Sequence, residues 1–304
     1  MDSAVRKFEA VSGAILSRDK KCKVLGFGLW KNRVDWPLNY LKTVKVFGIF
    51  ILDSYRSLVK RNWEFRYEKF MEIVKSWTPR VLDTLLQRVE VLRLFALSRV
   101  YYIASILPIN ITMVRKFEKD MGKFIWTASG KILRVSLEEL KHVPEKGGLG
   151  LPCDMSRCRA LMLSQLLRLL KSTDKKSIGR VGFWIGELLG DLVEGIDGGV
   201  HANDVPAYYD HFAQLVVEAK SCELVTQGNW KILTNKAVYV HHAESFPVPK
   251  VEVEAGFSLK AVWQRITSPV LTASARDVLY LLVHNKLPIQ ERMFWIGLTL
   301  GPLL

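Results

Sequence analysis

Leu85-Leu86-Gln87-Arg88-Val89-Glu90-Val91-Leu92-Arg93-Leu94-Phe95-Ala96-Leu97-Ser98-Arg99-Val100-Tyr101-Tyr102-Ile103-Ala104-Ser105-Ile106-Leu107-Pro108 decides the fold of this chain. Leu85, Val89, Leu92, Ala96, Val100, Ile103 and Leu107 recur at steps of four and three, which places them on one face of a helix. Pro108 stops it, because proline has no N–H to donate. Arg88, Arg93 and Arg99 fall on its flanks. Upstream, from Asn62 onward, Trp63, Tyr67, Phe70, Val74 and Trp77 form a second helical stripe that Pro79 ends. Downstream, a third helix is predicted over about Thr112 to Trp126, with Val114, Phe117, Met121 and Phe124 inward. Arg115, Lys116, Lys119 and Lys123 fall largely elsewhere on its surface. Three such helices predict a basic bundle.

Toward the N-terminus the pattern changes. Residues 1–23 begin as an amphipathic helix that stops near Ser12-Gly13 and run into the basic stretch Arg18-Asp19-Lys20-Lys21-Cys22-Lys23. Val24–Leu29 and Val44–Ile51 are short, glycine-punctuated and rich in Val, Ile and Phe, which suits strands. Toward the C-terminus, Ser136-Leu137-Glu138-Glu139 reads as a capping box and Gly147-Gly148-Leu149-Gly150-Leu151-Pro152 as a tight connection using positive φ. Asp154 opens a helix to about Lys171. Residues 172–255 show little period, with glycine-marked loops expected near Gly179, Gly182, Gly198 and Gly199. A final helical pair is predicted at Leu259–Ile266 and Ala273–Asn285, the latter between Thr272 and Pro288. The fold class is mainly α with a small N-terminal β element.

Of 304 residues, 49% are hydrophobic and 24% charged, a globular profile that excludes a largely disordered chain. The net charge is +14 and the pI about 9.6. That charge is uneven: residues 1–150 hold 28 Lys/Arg against 15 Asp/Glu, and residues 151–304 hold 16 against 15. A basic excess confined to one half is the footprint of a phosphate-tracking surface or of a solvated face. It predicts that the span 1–150 carries any binding. Cys22, Cys153, Cys158 and Cys222 lack framework spacing and no secretory signal pattern opens the chain, so an intracellular, reducing environment without disulfides is expected. Leu94–Leu107 is interrupted by Arg99 and too short to cross a bilayer, so no membrane partner is expected.

The order of these pieces resembles the non-LTR (LINE-type) retrotransposon reverse transcriptase family. Phe8-Glu9-Ala10-Val11-Ser12-Gly13-Ala14 with Arg18-Asp19-Lys20 looks like motif D of the palm, with Ser17 where the family has Asn. Val46-Phe47-Gly48-Ile49 is similar to the primer-grip hairpin. Asn62–Trp77, Arg80 and Leu85–Tyr102 look like the helical thumb, although Asp83-Thr84-Leu85-Leu86-Gln87-Arg88 departs from the family's Ser, Leu and Gly positions. Phe124-Ile125-Trp126 and Gly147–Pro152 resemble signatures beyond the thumb. Val283-His284-Asn285-Lys286-Leu287-Pro288 with Arg292, Phe294 and Gly297 resembles the segment before a zinc-binding module.

The resemblance implies four regions: 1–58 as the end of the palm, 59–130 as the thumb, 131–255 as linker and helical extension, and 256–304 as a truncated region before a lost zinc module. It implies a catalytically incomplete fragment of an RNA-directed DNA polymerase, nuclear or cytoplasmic, whose partner is RNA or RNA–DNA duplex. The family holds Mg²⁺ on a Phe/Tyr-x-Asp-Asp turn and an earlier Asp. No Asp-Asp pair occurs in this sequence, so no cofactor, catalysis or small-molecule substrate is expected of the chain itself.

Lys20 would be the motif D remnant, a proton donor to pyrophosphate in the family, or a plain surface lysine. Phe47 and Gly48 would bring backbone close to a strand of nucleic acid, or simply turn a hairpin. Arg88, Arg93, Arg99, Lys116, Lys119 and Lys123 would contact duplex phosphates without reading bases, or form solvated faces. Trp63, Trp77 and Trp126 at helical spacing favour core over base stacking. Cys153, Cys158 and His241-His242 lack partners at metal-ligand spacing, and His284 is expected to pack or cap. The competing reading is a host-retained helical scaffold for protein interactions.

Overall fold

The computed structural model describes residues 10, 23–24, 39–78, 84–126, 135–152, 154–172, 175–193, 196, 199, 205–244, 249–256 and 258–286. The chain divides between Phe65 and Arg66 into two compact units. It is mainly helical with short strands near the N-terminus. Among the described residues, no helix is long and apolar enough to cross a membrane.

In the first unit, β1 (Lys23–Val24) pairs parallel with β2 (Asn39–Tyr40), and β3 (Val44–Val46) pairs antiparallel with β4 (Ile49–Ile51). The rest of the expected strand Val24–Leu29 lies outside the described residues, as does most of the N-terminal helix and the basic stretch after it. Val46 faces Ile49 in the ladder, so Phe47-Gly48 is a two-residue turn with φ of 47° and 79°. Two central residues at positive φ make the mirror-image turn whose twist matches paired strands. Helix α1 (Tyr55–Trp77) begins about two turns before Asn62. Asn62 does not open the helix as the sequence suggested; it is 1% exposed and binds the hairpin.

That bond follows from strand geometry. Lys45 and Phe50 face each other one step from the turn pair, where antiparallel partners point their N–H and C=O groups away from one another. The Phe50 N–H donates to Asn62 Oδ1 at 2.9 Å and Asn62 Nδ2 donates to the Phe50 carbonyl at 2.7 Å. Its second amide proton goes to the Leu58 carbonyl at 2.9 Å. One amide thus pairs with the open edge of β4 as a neighbouring strand would.

In the second unit, the later turns of α1 meet α4 (Ile111–Trp126) through rings: Phe70 and Phe117 stand edge to face at 5.0 Å. The helix predicted from Leu85 to Leu107 is not continuous. It consists of α2 (Leu85–Val91), a π turn (Leu92–Ala96) and α3 (Leu97–Ala104). The widened turn lies at the start of the two successive four-residue steps, Leu92 to Ala96 to Val100, and keeps all three buried. Thr84 and Gln87 close a reciprocal capping box at the start of α2, at 3.2 and 3.3 Å. Ser136 caps α5 (Leu137–Lys141), but Glu139 does not return the bond; its Oε1 accepts from the Lys250 N–H at 2.9 Å instead. The expected capping box there is half formed.

Helix α6 (Asp154–Lys171) is the hub, packed against α3, α4, α7 (Lys175–Leu189), α8 (Ala207–Ser221) and α9 (Asn235–Glu244). Met162, Leu163, Leu166, Leu167 and Leu170 feed one core with Phe212, Val216, Trp230 and Val238. Truncating a leucine so placed costs about 2–5 kcal/mol. Helices therefore fill most of the region in which the sequence suggested loops. Gly179 and Gly182 lie within α7, and a Cβ on Gly182 would meet Ile196 at 2.9 Å. That glycine is there for close packing. Gly198 lies outside the described residues.

The chain ends of this unit are tied together. The Leu85 N–H donates to Asp277 Oδ2 at 2.7 Å, and His284 Nε2 meets the Gly147 carbonyl at 3.1 Å. Helices α10 (Lys250–Ala255), α11 (Lys260–Ile266) and α12 (Ala273–Val283, capped by Thr272) complete it. Gly147 has φ of 78° and presses on Trp263, where a Cβ would come within 2.5 Å of the indole. A Cβ on Gly148 would fall 1.8 Å from the His142 carbonyl. Both glycines are fixed by neighbours.

Candidate nucleic-acid interface

The turn Phe47-Gly48 stands out on the first unit. Phe47 is 89% exposed, in a left-handed conformation that a bulky side chain adopts at a cost of about 1–2 kcal/mol. Behind it the ring faces carry charge: Lys45 Nζ lies 4.4 Å from the Phe65 ring centre and 5.1 Å from that of Phe50, with the Arg61 guanidinium 5.2 Å from Phe50. Phe50 and Phe65 meet edge to face at 5.1 Å. Cations held over aromatic faces keep their outward protons for another acceptor.

On the second unit the predicted cations separate into roles. Arg88 is half buried and its Nη1 donates to the Ile125 carbonyl at 2.7 Å, stapling α2 to the end of α4. The fold thus gives part of its guanidinium a structural use. Arg93 is exposed on the π turn and pairs with Glu90 at 2.8 Å. Arg99 is exposed on α3. It lies beside Arg66, whose half-buried guanidinium stacks 5.5 Å from the Tyr102 ring centre. Burial, and then the charge of Arg99, hold Arg66 below its ordinary pKa; Tyr102 opposes them.

A second cluster sits on α4. Lys116 Nζ lies 3.8 Å over the Tyr67 ring, and Lys123 pairs with Asp120 at 3.1 Å. The Tyr67 hydroxyl donates to Asp120, which is itself buried. Burial first, and then this carboxylate, push the Tyr67 phenol up to about 12. Lys119 is exposed one turn along. Lys20 lies outside the described residues.

Some participants escaped sequence reading. The π turn leaves Arg93, Leu94 and Phe95 exposed in succession, Leu94 at 57% and Phe95 at 48%, with Phe95 tilted against Trp77 at 5.2 Å. Widened turns of this kind recur at functional sites. Asp120, an acid on the apolar face of a basic helix, was the one visible signal for the Tyr67 cluster. Trp63 is buried, Trp77 and Trp126 half buried. Cys158 is buried and Cys222 exposed; Cys153 and the His242 side chain lie outside the described set. Among the described residues, no three His, Cys, Asp or Glu side chains converge as metal ligands. His284 packs between Trp263 and Tyr280, as expected.

No protein-family model matches the chain, and comparison with curated proteins gives no match.

Proposed function

We propose that the chain binds the backbone of an RNA duplex or RNA–DNA hybrid, in the manner of the primer-grip and thumb part of a LINE-type reverse transcriptase, without catalysing synthesis. The observation that carries this reading is the mixture of unburied cation with aromatic and apolar area. Arg93, Leu94, Phe95, Arg99 and Tyr102 form one exposed stretch, and Lys116 rides on Tyr67. Phosphates engage the cations while sugar faces suit the apolar area. The same exposed Leu94 and Phe95 favour the second reading, a protein-interaction scaffold.

Salt dependence separates the two. Binding of the full chain to a labelled RNA–DNA hybrid of about 20 base pairs should weaken steeply with salt, each lost phosphate contact lowering the log–log slope by about 0.9. Replacing Arg93, Arg99 and Lys119 by Gln should reduce that slope by about 3 and weaken binding about tenfold or more at 0.1 M salt. Replacing Arg180, Lys236 and Lys260 should do little. Salt-insensitive binding, or equal effects of the two triple variants, favours the scaffold. With Mg²⁺ or Mn²⁺ supplied, no nucleotide incorporation on a primed template is expected; incorporation would overturn the non-catalytic part of the reading.

A further inference from the structure

Helices α6 and α8 border a cavity of about 220 Å³ within the second unit, with Pro108 and Ile109 as its third wall. From α6 it is lined by Met155, Cys158 and Met162, which follow one another at steps of three and four and so share one stripe of the helix. From α8 it is lined by His211. Four side chains that carry sulfur or imidazole thus border one space. Cys158 is 2% and Met162 3% exposed, while Met155 and His211 are half-buried. A helical side chain leans toward the N-terminus of its helix, which carries Met162 back over the turn that holds Cys158. Cysteine spacing gave no metal signal here because two of the four residues are methionines.

Softness and charge together decide which ion suits this set. Thiolate and thioether sulfurs are soft donors that select Cu(I), whereas Mg²⁺ and Ca²⁺ take oxygen. Zinc takes four ligands from cysteine, histidine and carboxylates, and this wall offers one cysteine and one histidine. Among the described residues the one carboxylate on the wall is Glu218, and it pairs with Arg159 at 3.4 Å on the exposed rim. A single thiolate with a monovalent ion sums to zero charge. A divalent ion would leave a net positive charge to be buried beside Cys158, which a low-dielectric site disfavours.

We infer that this cavity is a binding site for a single Cu(I) ion, held by the Cys158 sulfur, the Met162 thioether and an imidazole nitrogen of His211, with the Met155 thioether as a fourth soft donor. The Cys158 thiol gives its proton to solvent as the sulfur–copper bond forms, and the copper stays Cu(I), so no electron moves. The ion joins α6 to α8, and occupancy therefore stabilises the folded second unit. This site is independent of nucleic-acid binding.

The test uses the full chain carrying Cys22→Ser, Cys153→Ser and Cys222→Ser, so that Cys158 is its only cysteine. Cu(I) is supplied without oxygen as its acetonitrile complex and competed with bicinchoninate. One copper per chain should bind, with ultraviolet sulfur-to-copper absorption and a rise in Tm. X-ray absorption should show both sulfur and nitrogen neighbours. Cys158→Ala should abolish binding, but it also removes a buried atom. Met155→Leu with Met162→Leu therefore gives a second test that conserves volume. The pair should melt close to the parent without metal and weaken Cu(I) binding by about tenfold or more, the loss that even an outer-shell partner causes. His211→Gln should weaken it likewise and remove nitrogen from the copper shell. Zn²⁺ should raise Tm less than Cu(I) does. Copper binding that is absent from the one-cysteine chain, or that survives the paired leucines or His211→Gln unchanged, overturns the assignment and leaves packing as the role of these residues. So does an equal response to Zn²⁺.

Discussion

Phe47 at the hairpin turn and Asn62, the helix residue that binds the hairpin, answer substitution in opposite ways. Phe47 holds positive φ with a large exposed ring, so stability is sacrificed where a contact surface is offered. Phe47→Asn should stabilise the chain by about 1 kcal/mol, because Asn accepts that conformation readily. On the proposed function it should also weaken hybrid binding several-fold. A variant that gains stability and keeps full affinity would show the ring to have no binding role. Asn62→Ala acts the opposite way: it strands the Phe50 N–H and C=O and should cost about 1–3 kcal/mol in denaturant melts. A loss below about 0.5 kcal/mol would mean that water replaces the amide, and the clamp would then not be what orders the turn. The turn at Phe47-Gly48 was legible in the sequence, but the clamp made by Asn62 was not. Spacing marks Asn62 as a helix position, and only the pairing parity of Lys45 with Phe50 reveals which backbone groups lack a partner.

Among the elements, those with a strong apolar period were legible and those where glycine or a competing bond intervened were not. The stripe from Leu85 to Leu107 located the buried face correctly, while the π turn within it was hidden because Leu92 and Ala96 are compatible with either ladder. Ser136-Leu137-Glu138-Glu139 carried the right signature, yet Glu139 found the Lys250 N–H, 111 residues away, more useful than its own cap. Gly182 suggested a loop because its reason is a neighbour, Ile196, that sequence does not place. His284 was expected to pack, and its surroundings allow a pH prediction. Burial lowers its pKa, the bond to Gly147 and the charges of Glu139 and Glu254 oppose that, and Lys286 reinforces it. The folded chain therefore favours the neutral ring, and protonation favours unfolding. That contribution is complete above the ordinary value of about 6.5 and is lost as pH falls below it. His142 and His211, also lowered by burial, act in the same sense. Melting temperature should hold steady from pH 8 to 7 and fall toward pH 5. His284→Gln should flatten that fall by up to about 1.4 kcal/mol per pH unit, the limit for one proton. Parallel pH profiles for the two proteins would refute the assignment to His284.

At the scale of the molecule, charge and fold divide the chain differently. Nearly all of the net charge lies in residues 1–150, which by itself suggests a separable binding module. The packing contradicts separability. Helices α3 and α4 rest on α6, which begins at Asp154, and the first N–H of α2 is held by Asp277, 192 residues downstream. Glu139 reaches Lys250, and Gly147 receives His284. A cut at residue 150 would leave the apolar faces of α3 and α4 in water, together with the groups that α10 and α12 satisfy. Losing a hub of five apolar positions at about 1.5–3 kcal/mol each is comparable to the whole stability of an ordinary domain. A fragment of residues 1–150 should therefore melt without a cooperative transition, expose dye-binding apolar surface and bind the hybrid with little discrimination from any polyanion. The full chain should show a cooperative melt of its second unit and salt-dependent binding that the Arg93, Arg99 and Lys119 substitutions reduce. If the fragment instead melts sharply and matches the affinity of the full chain, then the basic bundle folds alone, and α6 with everything after it is an accessory to binding instead of its support.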